Sequence, residues 1–304
     1  MATINFTNIL KCISILLRTS TYPKSDWFHL TNSILKTIIK NPSSVFNRKS
    51  DESKKHFLTD HLEREIIVKS PDGIIFLARP KFEDFARFLF SKILAKWEPT
   101  YILKPKKDQI IIDVGANVGY YTIYLAKIVG KNGKVVAIEP DPYSFQTLKK
   151  NCELNNLSNV EFYNLAISDH NESLSFYQEK SHSGKGSLFS NSTENTSIDV
   201  QATTLDELFE KKLQTINWLK IDVEGFEFFV LKGASKLLSK TQKILIEIHE
   251  NILSTNNQKP QDIIELLEES GFTIRIFNEY WDKESSQNQS LKSDYILGIR
   301  EQIH

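Results

Sequence analysis

Cysteine is scarce in this chain of 304 residues: Cys12 and Cys152 are the only two, they lie far apart, and they match no zinc or disulfide spacing. A disulfide scaffold is excluded, and a reducing, cytoplasmic setting is the simpler expectation. A surplus charge is also missing. Lys+Arg and Asp+Glu are both 38, so the chain carries no overall field to hold nucleic acid non-specifically. No apolar run approaches the ~18 residues of a membrane span. The stretch Leu10 to Leu17 is interrupted by Lys11 and lacks a small-residue cleavage site, which makes it a poor signal peptide. There is no internal repeat.

What is present is the composition of an ordinary globular protein, 40% hydrophobic and 25% charged. Three regions stand out. The first fifty residues hold seven Lys/Arg against one acid, Asp26, with apolar residues at helical spacing (Phe6, Ile9, Leu10, Ile13, Leu16 and Leu17, then Phe28, Ile34, Leu35, Ile38 and Ile39). Basic amphipathic helices of this kind either lie on anionic membranes or pack as a cap, and peripheral membrane contact stays open. With a polar linker they form a basic N-terminal extension over 1–55. Residues 56–107 lead into the core: Ile66-Ile67-Val68 and Ile74-Ile75-Phe76-Leu77 flank Ser70-Pro71-Asp72-Gly73 as a hairpin, and a helix is expected from Phe82 to Trp97. From 108 to 304 strands and helices alternate, the signature of a parallel sheet with crossover helices.

Strands are expected at Gln109–Val114, Lys134–Glu139, Val160–Leu165, Trp218–Asp222, Ile244–Ile248, Phe272–Phe277 and Tyr295–Ile299, seven in all. Helices are expected at Tyr120–Val129, from Pro142, over Glu224–Leu238, and over Asp262–Ser270. Leu174–Tyr177 and Ile198–Ala202 read as a hairpin around the polar segment Gln178–Ser197, which is too long for a plain turn and suits a lid. Thr204-Leu205-Asp206-Glu207 fits a capping box.

Chemistry concentrates in three places. In Ile112-Asp113-Val114-Gly115-Ala116-Asn117-Val118-Gly119 a glycine-bearing bend follows the first parallel strand, where doubly wound sheets bind ligands. Glu139, twenty positions after Gly119 at the end of the next strand, is placed to accept the hydroxyl protons of a ribose. The pattern is D-x-G-x-x-x-G rather than G-x-G-x-x-G, and the carboxylate of Asp113 repels phosphates but suits a cationic amino group. The expected ligand is therefore S-adenosylmethionine rather than NAD. An NAD-dependent oxidoreductase is the alternative enzyme, and a non-catalytic membrane-surface or partner-binding module the alternative outside enzymology.

The second place is Lys220-x-Asp222-x-Glu224-Gly225-x-Glu227. Asp222 ends a buried strand, where it either takes a proton from an attacking hydroxyl or balances a sulfonium charge. The alternative reading makes it the cap of the following helix, with Glu224 and Glu227 complementing the helix dipole. The third is Glu247-Ile248-His249-Glu250, in which alternation sets Glu247 and His249 on one side. His249 is a candidate general base. With Asp222 the pair fits a divalent metal only loosely, so no metal is expected.

Six blocks in this order resemble the FkbM-type methyltransferases: Asp113–Gly119, Ala137-Ile138-Glu139-Pro140, Ala166-Ile167-Ser168-Asp169, Thr204-Leu205-Asp206, Leu219–Glu227 and Leu231-Lys232-Gly233-Ala234. The resemblance spans roughly Glu65 to Phe277. It implies a Rossmann-like, doubly wound seven-stranded sheet (class I methyltransferase), S-adenosylmethionine as donor, and oxygen acceptors on sugars, glycans or small natural products. It also implies that Asp113, Gly115, Asn117 and Gly119 line the cofactor and that Glu139 binds its ribose. The catalytic candidates, read from their places at strand ends, are Asp222, His249 and Glu247. Neither the acceptor nor an oligomeric state follows from it.

Overall fold

The computed structural model describes residues 66–69, 74–78, 102–178, 186–188, 196–277 and 295–300. The basic extension, the expected helix Phe82–Trp97 and most of the polar segment Gln178–Ser197 lie outside them. Among the described residues no helix is long and apolar enough to cross a membrane.

The described elements belong to two compact units. In the first, β1 (Ile66–Lys69) and β2 (Ile75–Ala78) form the expected antiparallel hairpin, with Ile67 opposite Leu77.

The second unit is built on seven strands: β3 (Ile110–Val114), β4 (Lys134–Ile138), β5 (Val160–Tyr163), β10 (Trp218–Ile221), β11 (Lys243–Glu247), β12 (Thr273–Phe277) and β13 (Tyr295–Ile299). They lie in the order β12-β13-β11-β10-β3-β4-β5. From β11 to β5 all neighbours are parallel, and only the pairs that β13 makes with β11 and β12 are antiparallel. The chain order runs outward in both directions from β3 and β10, which makes that boundary the switch point of a Rossmann-like, doubly wound sheet.

Both faces are covered, which explains why the strands read as unbroken apolar runs. Ile112, Val114, Val136, Leu219, Ile221 and Ile246 pack on one face against helices α3 (Leu205–Phe209), α4 (Glu227–Lys232), α5 (Ser235–Ser239) and α7 (Pro260–Glu269). Ile111, Val135, Trp218 and Leu245 pack on the other against α1 (Tyr120–Val129). Strand parity sends Asp113 and Lys220 to this second face, and the register sets them side by side.

Two expectations change. The helix expected over Glu224–Leu238 is two short helices, α4 and α5, broken at Gly233-Ala234. Glu224 and Gly225 precede them in left-handed conformations (φ 51° and 101°), so Asp222 is no helix cap and the N-cap falls at Phe226. The expected hairpin is also part of a larger, four-stranded sheet with the order β6 (Ala166–Ile167), β9 (Thr196–Thr203), β7 (Glu172–Gln178) and β8 (Gly186–Ser187). Its register sets Leu174 opposite Val200.

Three of the six sequence blocks have structural work to do. Thr204 caps α3 by accepting a hydrogen bond from the Glu207 amide, while Asp206 accepts from the amides of Lys236 and Leu237 and so caps α5. The carbonyl of Ser168 lies where a Cβ on Gly233 would sit, at 2.1 Å, so backbone meets backbone there.

Candidate active site

The carboxyl ends of β3, β4, β10 and β11 meet at the switch point, and the candidate residues meet there too. After Val114 the chain turns through Gly115 (φ 75°), Asn117 (φ 48°) and Gly119 (φ 93°) before α1 begins. Gly115 and Ala116 donate their amides to the Ile138 carbonyl of β4. From the far side, the buried Asn151 of α2 (Pro142–Leu154) donates to the Val118 carbonyl.

The two glycines serve packing. A Cβ on Gly115 would stand 1.8 Å from the Asp222 carbonyl oxygen, and one on Gly119 would stand 2.5 Å from Leu148. The room that their missing side chains leave is taken by β10 and α2.

Glu139 ends β4 almost fully buried, at 6% exposure. One carboxylate oxygen accepts the amide of Asn117 from the glycine bend (2.8 Å), the other the amide of Asp141 (2.9 Å). Glu139 and the bend thus form one structure. Burial pushes its carboxyl up to about 8, against the lowering effect of the two amides and of Lys220.

Asp113 departs from its expected role. It is completely buried in β3, one oxygen accepting from the Thr122 hydroxyl (2.6 Å) and the other paired with the Lys220 ammonium (3.0 Å). The cation that answers its charge belongs to the protein, and an outside ligand has no access to this carboxylate. Lys220, whose role went unread in the sequence, also donates to the Gly115 carbonyl (3.3 Å), lies 3.7 Å from Asp222 and sits over the Tyr121 ring. The signal was available: a lone lysine in the otherwise apolar run Trp218–Ile221, on a strand buried at every position.

Asp222, Glu247 and His249 come together as the sequence suggested. Each offers a ligating atom within 4.8 Å of the others, and all three are half-buried. The imidazole of His249 is ringed by acids: Nδ1 bonds Glu227 Oε1 at 2.9 Å, while Nε2 faces Glu224 Oε2 at 3.2 Å and Asp222 Oδ1 at 4.0 Å. Burial would lower the ring's pKa, but the Glu227 hydrogen bond and the charges of Glu224, Glu227 and Asp222 outweigh it and push it up to about 10. A ring so held keeps its proton at neutral pH, which removes the basis for reading His249 as a general base. Glu227 proves to be a buried partner of that ring and of the Gly225 amide rather than a surface complement to a helix dipole.

Residues 113–274 match the profile of the Methyltransferase FkbM domain. Hexuronic acid methyltransferase AglP of Haloferax volcanii is 30% identical over 197 residues, 64% of this chain and 72% of that protein. Methyltransferase 1 of Beauveria bassiana is 26% identical over 195 residues, 57% and 76% of the two chains. The 2-O-methyltransferase NoeI of Sinorhizobium fredii is 25% identical over 181 residues, 54% and 73%.

Proposed function

The chain belongs to the FkbM methyltransferase family, and from that premise we propose that it transfers a methyl group from S-adenosylmethionine to a hydroxyl oxygen on a sugar, a glycan or a small natural product. The observation that carries the reading is the clamp between Glu139 and the Asn117 amide. It fixes a carboxyl group at the carboxyl edge of the sheet, beside the glycine bend, where the two hydroxyls of a nucleoside ribose would stabilise its charged, accepting form. Glu139 would hold the ribose, and the backbone of Gly115, Asn117 and Gly119 would line the rest of the cofactor. The bound cofactor supplies an electrophilic methyl on a sulfonium.

An acceptor hydroxyl held beside Asp222 would give up its O–H proton as it took that methyl in line, with the thioether as leaving group. Asp222, at the end of β10 with 17% of its side chain exposed, is the proton acceptor in this reading. Glu247 and the His249 imidazolium set the charge around it. A hydroxyl acceptor is favoured because NoeI, by its name, methylates a 2-O position, and a sugar-type acceptor because AglP, by its name, methylates a hexuronic acid.

Calorimetric titration with S-adenosylhomocysteine tests the reading. The protein is expected to bind it and Glu139→Ala to lose that binding. Because ribose hydroxyls stabilise the charged form of a carboxyl that burial holds near 8, affinity is expected to rise between pH 7 and 9 in wild type and to stay flat in Glu139→Gln. A wild type that binds no S-adenosylhomocysteine removes the reading.

A further inference from the structure

Asp222, Glu247 and His249 have a second property. Around a divalent cation with bonds near 2.1 Å, neighbouring ligand atoms sit about 3 Å apart and opposite ones about 4 Å, so a mutual spacing within 4.8 Å is close to what such an ion spans. The set of two carboxylates and one imidazole is chemically apt, and three protein ligands leave positions open.

Glu227 supplies an independent indication. It is completely buried, and from behind the ring it binds His249 Nδ1, which turns Nε2 toward Asp222 and Glu224. A buried carboxylate in that position is how proteins orient a metal-binding imidazole. Its other oxygen, Oε2, is buried with no hydrogen-bond partner, so its charge is incompletely met, at a cost folded proteins rarely accept. Four carboxylates (Asp222, Glu224, Glu227 and Glu247) surround this point. Among the cations that face them are the His249 ring and Lys220, and Lys220 is shared with Asp113.

We propose that Asp222, Glu247 and His249 form a binding site for a divalent cation of the Mg2+/Mn2+ class, with Glu227 as the group that orients the imidazole. The imidazole ligand favours Mn2+ of the two. The cation replaces the Nε2 proton. Its use in catalysis rests on the methyltransferase reading. An acceptor hydroxyl bound at an open position loses its proton to water more readily, the oxygen takes the methyl from the sulfonium, and the thioether departs, with Asp222 then acting as ligand rather than as base.

The test is titration of the chelator-treated full chain with MnCl2, following the electron paramagnetic resonance signal of free Mn2+, with S-adenosylhomocysteine binding measured on the same preparations. One Mn2+ per chain is expected, with a Kd below about 1 mM. Glu227→Gln is expected to weaken it by about 10–100-fold and Glu247→Gln by at least as much, while S-adenosylhomocysteine still binds. Should Glu247→Gln fail to bind S-adenosylhomocysteine, His249→Gln carries the comparison. No saturable Mn2+ uptake up to about 1 mM, or uptake that these substitutions leave unchanged, overturns the site. Cofactor binding without Mn2+ sinks the cation site alone, and Mn2+ binding without the cofactor sinks the methyltransferase reading alone.

Discussion

Removing the Lys220 ammonium would leave Asp113 as a buried charge with one hydroxyl for company. Breaking a buried ion pair from one side costs about 3–5 kcal/mol, more than the pair itself contributes, because the orphaned partner stays desolvated. Lys220→Met is therefore expected to lose about 3 kcal/mol or more in urea unfolding, and the double variant Lys220→Met, Asp113→Leu to recover part of it. A single variant within about 1 kcal/mol of wild type would show that Asp113 does not depend on Lys220. The pair also explains one limit on reading this site from sequence. An acid in a glycine motif invites the thought of a cationic ligand, and nothing in the one-dimensional chain says that a lysine 107 positions away stands beside it in register. Glu139 was legible because its role follows from local position, the last residue after a parallel strand. His249 was legible as a site residue but not as a proton-holding one, since its charge state is set by Glu224 and Glu227 from another strand end.

At the scale of elements, the strands of the main sheet were legible to within a residue or two because burial on both faces leaves an unambiguous apolar run, as in β3 and β10. The helix after β10 was misread for a physical reason. Phe226 to Leu238 has helical periodicity throughout, and at the break the Ser168 carbonyl, far off in sequence, packs against Gly233. Here two effects oppose. Gly233 lies at φ −78°, a conformation any residue adopts, and replacing glycine by alanine in a helical setting gains up to about 1 kcal/mol. Against this, the new Cβ would meet a backbone oxygen at 2.1 Å, which no rotamer change relieves, and overpacking of this sort costs about 1–3 kcal/mol. The clash should win. Gly233→Ala is expected to be less stable than wild type in thermal melts, and a more stable variant would show that the two segments can part without loss.

Across the whole molecule, the two strongly shifted groups of the site tie its stability to pH with the same sign. Glu139 goes from 4.5 to about 8 on folding and His249 from 6.5 to about 10. Each holds its proton more tightly folded than unfolded, so its contribution is fully present below the unfolded value and is lost as pH rises through the folded one. Glu139 therefore acts over pH 4.5–8 and His249 over 6.5–10. The windows overlap just above neutrality, where the loss should be steepest. Glu161, lowered from 4.5 chiefly by its hydrogen bond to Lys134, has the opposite sign but acts below this range, and Lys220, raised from 10.5, acts above it. With a chelator present, the melting temperature is expected to fall between pH 6 and 9 by about 5 °C or more, as a loss of a few kcal/mol implies for a domain of this size. Glu139→Gln should flatten the lower half of the curve and His249→Gln the upper half. A melting temperature constant or rising over that interval would mean that the folded site does not hold these protons.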